Sequence, residues 1–272
     1  MHIALTGGSG RVGRGIIDLA LEQGHTIVSI DRVAPAEPRA GVRFVHADVT
    51  DYDSFLAALG GCEGLIHMAA IPSPGHHPDH VVHNNNVAAS YNALRAAAEL
   101  GVRKVCQASS INAVGAAYSR WPIYDYLPLD EAHPTYNEDP YSLSKWICEA
   151  QGDSIARRYA GMTIASMRFH WVTDHRPNLA DHPNINQEAL AKNLWAYTLL
   201  DAAARACLAV MTAAYIGHEV FFIAAPTTVM DETSLALAQR YFPDAELRGD
   251  LSGHQGLFDC AKAERLLGWK HP

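Results

Sequence analysis

The sequence lacks several features that would assign it to particular classes of protein. No apolar run reaches the roughly 18–20 residues that a membrane-spanning helix needs. The basic residues form no block, and 21 of them stand against 29 acidic ones, giving a formal charge of -8. Because this balance repels phosphate backbones, we expect neither a membrane nor a nucleic acid as a partner.

Cysteine is scarce, and no two cysteines form a CxxC pair. The five are widely spaced: Cys62, Cys106, Cys148, Cys207 and Cys260. This spacing predicts small buried thiols in a reducing compartment rather than a disulfide framework or a redox motif. No charged leader or cleavage site is visible around the first apolar run, so we expect a cytoplasmic protein.

Apolar residues are plentiful, at 49% of 272 residues, which is enough for a full core. Apolar runs alternate with amphipathic ones, beginning with "HIALTG", "RGIIDLALEQG" and "TIVSID". Strands separated by helices of this length predict right-handed crossovers and a parallel sheet covered on both faces. The fold class is therefore expected to be α/β, a doubly wound parallel sheet with a small C-terminal substrate-binding cap.

The regular alternation ends near Phe169, which suggests two parts. We expect a nucleotide-binding part over residues 1–167 and a smaller substrate-binding part over 168–272, whose strands could return to the main sheet. Within these parts, "NVAASYNALRAAAEL" is predicted as a helix, "HWVTDHRPNLADHPNIN" as a polar loop and "LWAYTLL" as a strand. Asp201 is expected to cap the helix that follows.

Glycines crowd the turn after the first strand, in "TGGSGRVG". They form Gly8-x-Gly10-x-x-Gly13 and also Gly7-x-x-Gly10-x-x-Gly13, and Asp31 follows at the end of the second strand. This context is typical of a Rossmann dinucleotide-binding site, where glycines allow a tight turn and close approach to a pyrophosphate. The positive end of the following helix would then face the diphosphate. A plain structural turn is the alternative.

Two aspartates indicate how the adenosine end of the cofactor would be bound. Asp31 should accept hydrogen bonds from ribose hydroxyls and repel a 2′-phosphate, which favours NAD over NADP. Arg32 beside it is of the type that can hold that phosphate instead. Asp48 could accept a hydrogen bond from the adenine amino group, and helix capping by Asp48 or Asp51 is the alternative.

Chemistry is expected at "PYSLSKWICEA", where Tyr141 and Lys145 are four residues apart and so share one helix face. The segment follows the strand "KVCQASS", which ends in Ser109 and Ser110. In an open α/β sheet, ligands bind at this carboxyl edge. A Tyr–Lys spacing that arises by chance on an amphipathic helix is the alternative.

With these motifs the chain resembles the extended short-chain dehydrogenase/reductases, or NAD-dependent epimerase/dehydratase family. The matching segments, in the family's order, are "TGGSGRVG", Asp31, "ADV", "HMAA", "NNVAAS", "ASSINAVG", "YSLSK", "LWAYTLLDAAARA" and "FDCAKAERLLGW". The resemblance implies an NAD(P)-dependent oxidoreductase or epimerase in which Tyr141 exchanges a proton with a substrate hydroxyl. Lys145 would lower the pKa of that tyrosine and hold the nicotinamide ribose, and Ser110 would orient the reacting oxygen.

The resemblance also implies a set of cofactor-binding residues. They are Gly7, Gly10, Arg11, Val12, Gly13, Asp31, Asp48, Val49, Met68, Ala69, Ala70, Asn86, Ala108 and Lys145. For Asn86 helix capping is the alternative, and for Ser110 it is a hydrogen bond to nearby backbone. The family resemblance further suggests a homodimer through the helices after the fourth and fifth strands. No metal is expected, although His76, His77, His80 and His83 crowd one predicted loop.

Departures from the family pattern favour a small substrate. Ile111 and Asn112 stand where family dehydratases carry an Asp-Glu pair, so dehydration is not expected. Trp171 replaces an asparagine that touches the substrate in many nucleotide-sugar enzymes. The stretch from Ser110 to Asn112 gives partial similarity to uronate dehydrogenases. Candidate substrate-binding residues are Ser73, Asn112, Arg168 and Trp171.

Arg168 or Arg176 could pair with a substrate carboxylate, and for Arg168 an internal ion pair is the alternative. Residues 120–140, rich in Trp, Tyr and Pro, could form an active-site wall or simply pack at the surface. We therefore expect an NAD-dependent oxidoreductase that acts on a hydroxyl of a sugar or sugar acid. The alternatives are an epimerase that retains its cofactor and a non-catalytic NAD(P)-binding protein or sensor.

Overall fold

The structure, a computed structural model, describes residues 1–181 and 184–272. The strands are β1 (His2–Thr6), β2 (Thr26–Asp31), β3 (Val42–His46), β4 (Gly64–His67), β5 (Lys104–Ser110), β6 (Tyr126–Leu127), β7 (Thr163–Phe169), β8 (Val172–Thr173), β9 (Thr198–Leu199), β10 (Gly217–Ile223) and β11 (Glu246–Leu247). The helices are α1 (Arg11–Glu22), α2 (Tyr52–Leu59), α3 (Asp79–Glu99), α4 (Pro140–Arg158), α5 (Gln187–Lys192), α6 (Leu200–Ala209), α7 (Ser234–Tyr241) and α8 (Ala261–Leu267).

The central sheet has seven strands in the order β10-β7-β5-β4-β1-β2-β3. Every neighbouring pair in it is parallel. The chain starts in the middle of the sheet, runs outward through β2 and β3, and then returns to β4 on the other side of β1. This reversal leaves a crevice at the carboxyl ends of β1 and β4, which is where ligands bind in such sheets. The predicted doubly wound parallel Rossmann sheet is confirmed.

Both faces of the sheet are covered, and β1 shows why its sequence is apolar throughout. Ile3 and Leu5 point into the core that includes residues of α1 and α6. Ala4, between them, points into the opposite core, which includes residues of α2, α3 and α4. Alternate residues of a strand face opposite sides, so a strand buried on both sides needs a continuous apolar run.

The C-terminal residues take part in the main sheet. β10 pairs with β7 along its whole length, from Gly217 opposite Thr163 to Ile223 opposite Phe169. The division of the chain at residues 167 and 168 remains a prediction. Of the helices in residues 1–181 and 184–272, none has the length and apolar character needed to cross a bilayer.

Helix α3 begins earlier than the sequence predicted, at Asp79 rather than near Asn86. The predicted loop around the histidines is therefore shorter, and His80 and His83 lie on the first turns of the helix. Pro78 precedes the helix and sets its start. Most side chains of these first turns are exposed, and Val82 is the buried one, so the segment carries little apolar periodicity.

The predictions around "LWAYTLL" were largely wrong. Leu194 and Trp195 have φ angles of 53° and 52°, in the left-handed region, and only the end of the segment forms the short strand β9. The run is apolar because it is buried as an irregular turn. Asp201 does not cap α6: Leu199 occupies that position, and the Asp201 carboxylate accepts a hydrogen bond from Arg205 Nε at 2.8 Å. Residues 182 and 183, in the predicted polar loop, lie outside the described residues.

Candidate active site

The glycine-rich turn is as tight as its sequence predicts. Gly7 has a φ of 71°, and a Cβ atom added there would lie 2.9 Å from the Ala69 nitrogen. A Cβ at Gly13 would collide with the Gly7 carbonyl oxygen. Helix α1 begins directly behind this turn and has no side-chain cap, so the N–H groups of its first turn remain available to a ligand. The backbone therefore forms a cradle with a positive helix end at its base.

A cavity of about 600 Å³, the glycine-loop cavity, lies against this turn. Asp31 is held at its edge, because its carboxylate accepts hydrogen bonds from the backbone N–H groups of Ser9 at 3.1 Å and Val33 at 3.0 Å. Arg32 Nη1 lies 3.4 Å from Asp48 Oδ2. The predicted cofactor-binding residues that line this cavity are Gly7, Gly10, Arg11, Val12, Gly13, Asp31, Asp48, Val49, Met68, Ala69 and Ala70.

A second cavity of about 660 Å³, the tyrosine cavity, opens at the carboxyl ends of β4, β5 and β7. The predicted site residues that line it include Ala108, Ser110, Asn112, Tyr141, Lys145 and Trp171. Both cavities are lined by Val12, Met68, Ala70 and Pro72. The two therefore form one continuous cleft across the crevice of the sheet.

Helix α4 delivers the tyrosine to this cleft. The Asp139 carboxylate caps the helix by accepting hydrogen bonds from the N–H groups of Tyr141 and Ser142, both at 3.0 Å, and Pro140 occupies the first turn. Burial raises the pKa of the Tyr141 phenol well above its usual range, and a hydrogen bond with the Ser110 hydroxyl works in the opposite direction. The phenol is thus buried, next to a hydroxyl, at the edge of the sheet.

Lys145 lies one turn further along the same helix face. Its Nζ donates a hydrogen bond to the Ala108 carbonyl at 2.8 Å and lies 5.7 Å from the centre of the Tyr141 ring. Burial lowers the pKa of this ammonium group, while the nearby Cys148 and Glu149 raise it. Tyr141, Lys145 and Ser110 therefore converge in one pocket, as a proton-transfer site requires.

Ser110 and Asn112 are linked to each other. The Ser110 Oγ accepts hydrogen bonds from the Asn112 backbone N–H at 3.2 Å and from its Nδ2 at 3.1 Å. The hydroxyl thus makes the local backbone contact that was its alternative role, and it also touches Tyr141. Both residues are buried at the floor of the tyrosine cavity.

Arg168 does not line either cavity. Its guanidinium forms two hydrogen bonds to Glu149, Nε to Oε1 at 2.9 Å and Nη2 to Oε2 at 2.8 Å, and both side chains are buried. Glu149 Oε1 also accepts a hydrogen bond from the Ser109 hydroxyl at 2.5 Å. The structure thus places Arg168 in the internal ion pair that was its alternative role.

Two further candidates lie behind the cleft wall. Asn86 accepts a hydrogen bond from the Ile71 N–H at 2.8 Å and donates to the Ile71 carbonyl and to Ser144 Oγ, so it neither caps the helix nor lines a cavity. Ser73 is also absent from both linings. Residues 120–140 line neither cavity either; Trp121, for example, stacks on Phe242 with ring centres 5.6 Å apart. In the described structure, residues 120–140 pack at the surface and in the core.

Several lining residues escaped the sequence analysis, notably Tyr118, His170, Leu190 and Asn193. Tyr118 meets the Tyr141 ring edge-on at 5.6 Å and stands just before the segment predicted as a wall. His170 directly follows β7, Leu190 lies in α5 and Asn193 follows that helix, and this part of the chain carries no recognisable motif. Within the described residues no group of three or more His, Cys, Asp or Glu side chains is arranged to hold a metal ion.

Comparison with known proteins identifies relatives that act on sugars. L-arabinose 1-dehydrogenase (NAD(P)(+)) of Haloferax volcanii is 28% identical over 177 residues, covering 63% of this chain and 67% of the relative. UDP-glucose 4-epimerase of Corynebacterium glutamicum is 27% identical over 191 residues, covering 68% and 55%. The chain spans less than two thirds of the length of the first curated relatives it matches, with 57% and 62% of them aligned.

Solved structures share the fold over the whole chain. A mutated uronate dehydrogenase has a TM-score of 0.72 at 19% identity, covering 100% of this chain and 81% of that one. A short-chain dehydrogenase/reductase superfamily protein from Agrobacterium tumefaciens, solved with bound NAD, has a TM-score of 0.76 at 20% identity, covering 100% and 93%. The predicted resemblance is confirmed. Because residues 3–193 match the model of the NAD dependent epimerase/dehydratase family, well over half of the chain, the protein belongs to that family of NAD-dependent enzymes.

Proposed function

We propose that the protein is an NAD-dependent oxidoreductase that acts on a hydroxyl group of a sugar or sugar acid. The observation that carries this proposal is the continuous cleft, which joins the glycine cradle to the pocket holding Tyr141, Lys145 and Ser110. A relative that is a sugar 1-dehydrogenase supports the substrate class.

The residues of the glycine-loop cavity fit NAD. The cradle formed by Gly7 and Gly13 leaves room for a pyrophosphate against bare backbone, and the uncapped start of α1 offers N–H donors to it. Each Asp31 oxygen accepts one backbone hydrogen bond and keeps a lone pair for a ribose hydroxyl. The Asp31 charge disfavours a 2′-phosphate, and Asp48 partly neutralises the neighbouring Arg32. NAD is therefore the proposed cofactor, with NADP as the weaker one.

The chemistry follows from the three side chains in the tyrosine cavity. NAD, when bound, supplies the acceptor for the hydride that leaves the substrate carbon. Tyr141 Oη takes the proton of the substrate hydroxyl, which becomes a carbonyl as the C–H bond breaks. Lys145 stabilises the phenolate through its positive charge, and Ser110 donates a hydrogen bond to the reacting oxygen. In the reverse direction the same phenol returns the proton.

An epimerase is the second candidate, because one relative is a UDP-glucose 4-epimerase. An epimerase would oxidise and re-reduce the same carbon and would keep its cofactor. A non-catalytic NAD(P)-binding protein is the third candidate, but it would not need a phenol, an ammonium group and a hydroxyl together in one buried pocket. The Tyr141, Lys145 and Ser110 set therefore supports an enzyme.

NADH formation distinguishes these candidates. The purified protein is screened with NAD against aldoses, uronates and nucleotide sugars, and NADH is followed by its absorbance. A dehydrogenase gives NADH in proportion to substrate, and an epimerase gives product without net NADH. NADH binding without turnover of any alcohol would support the non-catalytic candidate and would contradict our proposal.

We also propose that the protein forms a homodimer through α3 and α4. The outer surface of these two helices exposes large apolar side chains, with Val81 and Tyr91 on α3 and Leu143 and Trp146 on α4. A second copy could cover them as a four-helix bundle. Light scattering at micromolar concentration tests this; a monomer in wild type would contradict it, and Trp146→Glu should dissociate the dimer.

The free thiols of the chain support a cytoplasmic location.

A further inference from the structure

The tyrosine cavity carries almost no charge. Among its described lining residues, Lys145 is the one side chain with a formal charge, and its Nζ already donates to the Ala108 carbonyl at 2.8 Å. His170 also lines the cavity, but burial lowers its pKa to about 3, so its ring is neutral at physiological pH. A ligand in this pocket would meet one cation that is already placed to serve the tyrosine.

The arginines around the pocket are committed elsewhere. Arg168 is tied to Glu149 by two hydrogen bonds, and Arg176 donates to the Thr228 carbonyl at 3.1 Å. Arg11, at the boundary of the two cavities, pairs with Asp174 at 2.8 Å. None of them is among the described lining residues of the tyrosine cavity. A substrate carboxylate or phosphate placed there would lose hydration, and among the described lining residues only Lys145, already bonded to the Ala108 carbonyl, could pair with it, which is unfavourable.

The polar groups that the pocket does offer suit hydroxyl groups. Three lining residues have a buried atom without a hydrogen-bond partner in the described structure: Asn112 Oδ1, Asn193 Oδ1 and His170 Nε2. Amide oxygens are acceptors only, so they favour hydroxyl donors over anions. A buried acceptor without a partner is unfavourable, and a ligand hydroxyl within reach would relieve that cost.

Aromatic faces complete the pocket. Tyr118 and Trp171 both line it, and the Trp171 backbone has a φ of 35°, in the left-handed region that non-glycine residues rarely adopt. Leu194 and Trp195, next to Asn193, also take left-handed backbone angles. Such unusual conformations concentrate at functional sites, where the surrounding structure holds them in place. Flat rings beside hydroxyl acceptors match a sugar, which has one apolar face and a polar rim.

We infer that the substrate is an uncharged sugar or polyol, with neither a carboxylate nor a phosphate group. This inference rests on the proposed function and narrows it, because it separates free aldoses from uronates, sugar phosphates and nucleotide sugars. The pocket recognises hydroxyl groups through Asn112, Asn193 and His170. It rejects anions because Lys145 is the one cation among its described lining residues and is already engaged.

Matched substrates test the inference. With NAD as the cofactor, kcat/KM is measured for glucose and for galactose, each compared with its own uronate and its own 6-phosphate. Arabinose and xylose are measured as further neutral aldoses. We expect the best neutral aldose to exceed the charged members of its series by at least tenfold. A charged member as the best substrate would overturn the inference and leave the proposed function intact.

Binding measurements keep the inference testable if nothing turns over, which would instead count against the proposed function. Saturation-transfer NMR with NADH-loaded protein then compares each aldose with its uronate and its phosphate. Preferential contact with the neutral member supports the inference. Preference for a charged member, or no contact with any sugar, contradicts it.

Variants test which residues recognise the hydroxyl groups of the substrate. Asn193→Ala should raise KM for the neutral sugar about tenfold with little loss of kcat. Asn112→Ala should raise KM similarly and also lower kcat, because its Nδ2 donates to the Ser110 hydroxyl. Asn178→Ala, an exposed control, should leave both unchanged. Asn193→Lys, which adds a cation to the pocket, should shift the ratio of kcat/KM towards the uronate. An unchanged ratio in Asn193→Lys, with thermal unfolding like that of wild type, would contradict the assignment.

Discussion

Lys145 Nζ lies 5.7 Å from the centre of the Tyr141 ring and is fixed there by a hydrogen bond of 2.8 Å to the Ala108 carbonyl. The helix that carries Tyr141 is thus tied directly to β5. Burial opposes charge on both side chains, raising the pKa of Tyr141 and lowering that of Lys145. The pair can therefore respond strongly to each other's charge.

Tyr141→Phe should lower kcat by about 10²–10⁴-fold, because it removes the group that accepts the substrate proton. Cofactor affinity should change little, since the glycine-loop cavity is untouched. NADH formation and fluorescence titration with NADH measure the two effects. Tyr136→Phe, at an exposed tyrosine that lines neither cavity, is the matched control and should behave like wild type. Full activity in Tyr141→Phe would exclude its proposed role.

The rate of oxidation should rise with pH, because burial raises the pKa of Tyr141 and its phenolate is the proposed base. Lys145→Met removes the positive charge that stabilises this phenolate. The rising limb of kcat against pH should therefore move upward by about 1–3 pH units. A limb that stays in place in the variant would show that another group controls the ionisation.

Asp31→Asn should weaken the binding of NAD and improve the use of NADP. The variant loses the charged acceptor for the ribose hydroxyls. Because a hydrogen bond to a charged group contributes about 1.5–3 kcal/mol, KM for NAD should rise about tenfold or more. Loss of the Asp31 charge removes the repulsion of a 2′-phosphate, while Arg32 keeps its contact with Asp48. The ratio of kcat/KM for NAD and NADP measures the change. Asp18→Asn, at an aspartate that pairs with Arg39 and lines neither cavity, should leave this ratio unchanged.

Arg168→Met should destabilise the fold by about 3–5 kcal/mol, because it leaves Glu149 buried and unpaired. Replacing both partners by methionine should cost much less. Arg205→Met removes the exposed ion pair with Asp201 and should cost less than about 1 kcal/mol. Urea unfolding measures all three. Wild-type stability in Arg168→Met, with loss of binding to a sugar acid alone, would instead support a substrate role.

Acid should destabilise the fold through His67, which is buried, and His170, which is half-buried in the wall of the tyrosine cavity. Burial lowers the pKa of His67 and of His170 to about 3, so between pH 6.5 and 3 the unfolded chain binds protons that the folded chain refuses. The stability that the two neutral rings contribute is fully present above pH 6.5. As the pH falls below that value, the free energy of unfolding decreases by about 1.4 kcal/mol per pH unit for each histidine. Urea unfolding at pH 7 and 5 measures the slope. The variant His67→Gln/His170→Gln should show a smaller slope; an equal slope would contradict this.

The motif-bearing parts of the structure could be predicted because local sequence determines them. The Gly7 to Gly13 turn follows from sterics, since other residues would collide with neighbouring backbone there. The position of Tyr141 follows from the Asp139 cap and helix periodicity. Continuous apolar strands imply a sheet buried on both faces. These are short-range effects that one chain segment carries by itself.

The substrate side could not be predicted in the same way, because it depends on long-range packing. Asn193 reaches the cavity through an irregular turn in which Leu194 and Trp195 take left-handed angles, and neither residue type signals that conformation. Arg168 looked like a candidate anion receptor in sequence, since its partner Glu149 is 19 positions away on a helix. Only the packing of α4 against β7 brings the two together.

The placement of β10 beside β7 has a consequence for engineering this protein. All seven residues of β7 are buried, and β10 covers its outer edge. A chain cut before residue 217 would expose that edge as a template for self-association. Transfer of substrate preference between relatives is therefore better attempted by grafting the segments around His170 and Asn193 than by exchanging whole C-terminal halves.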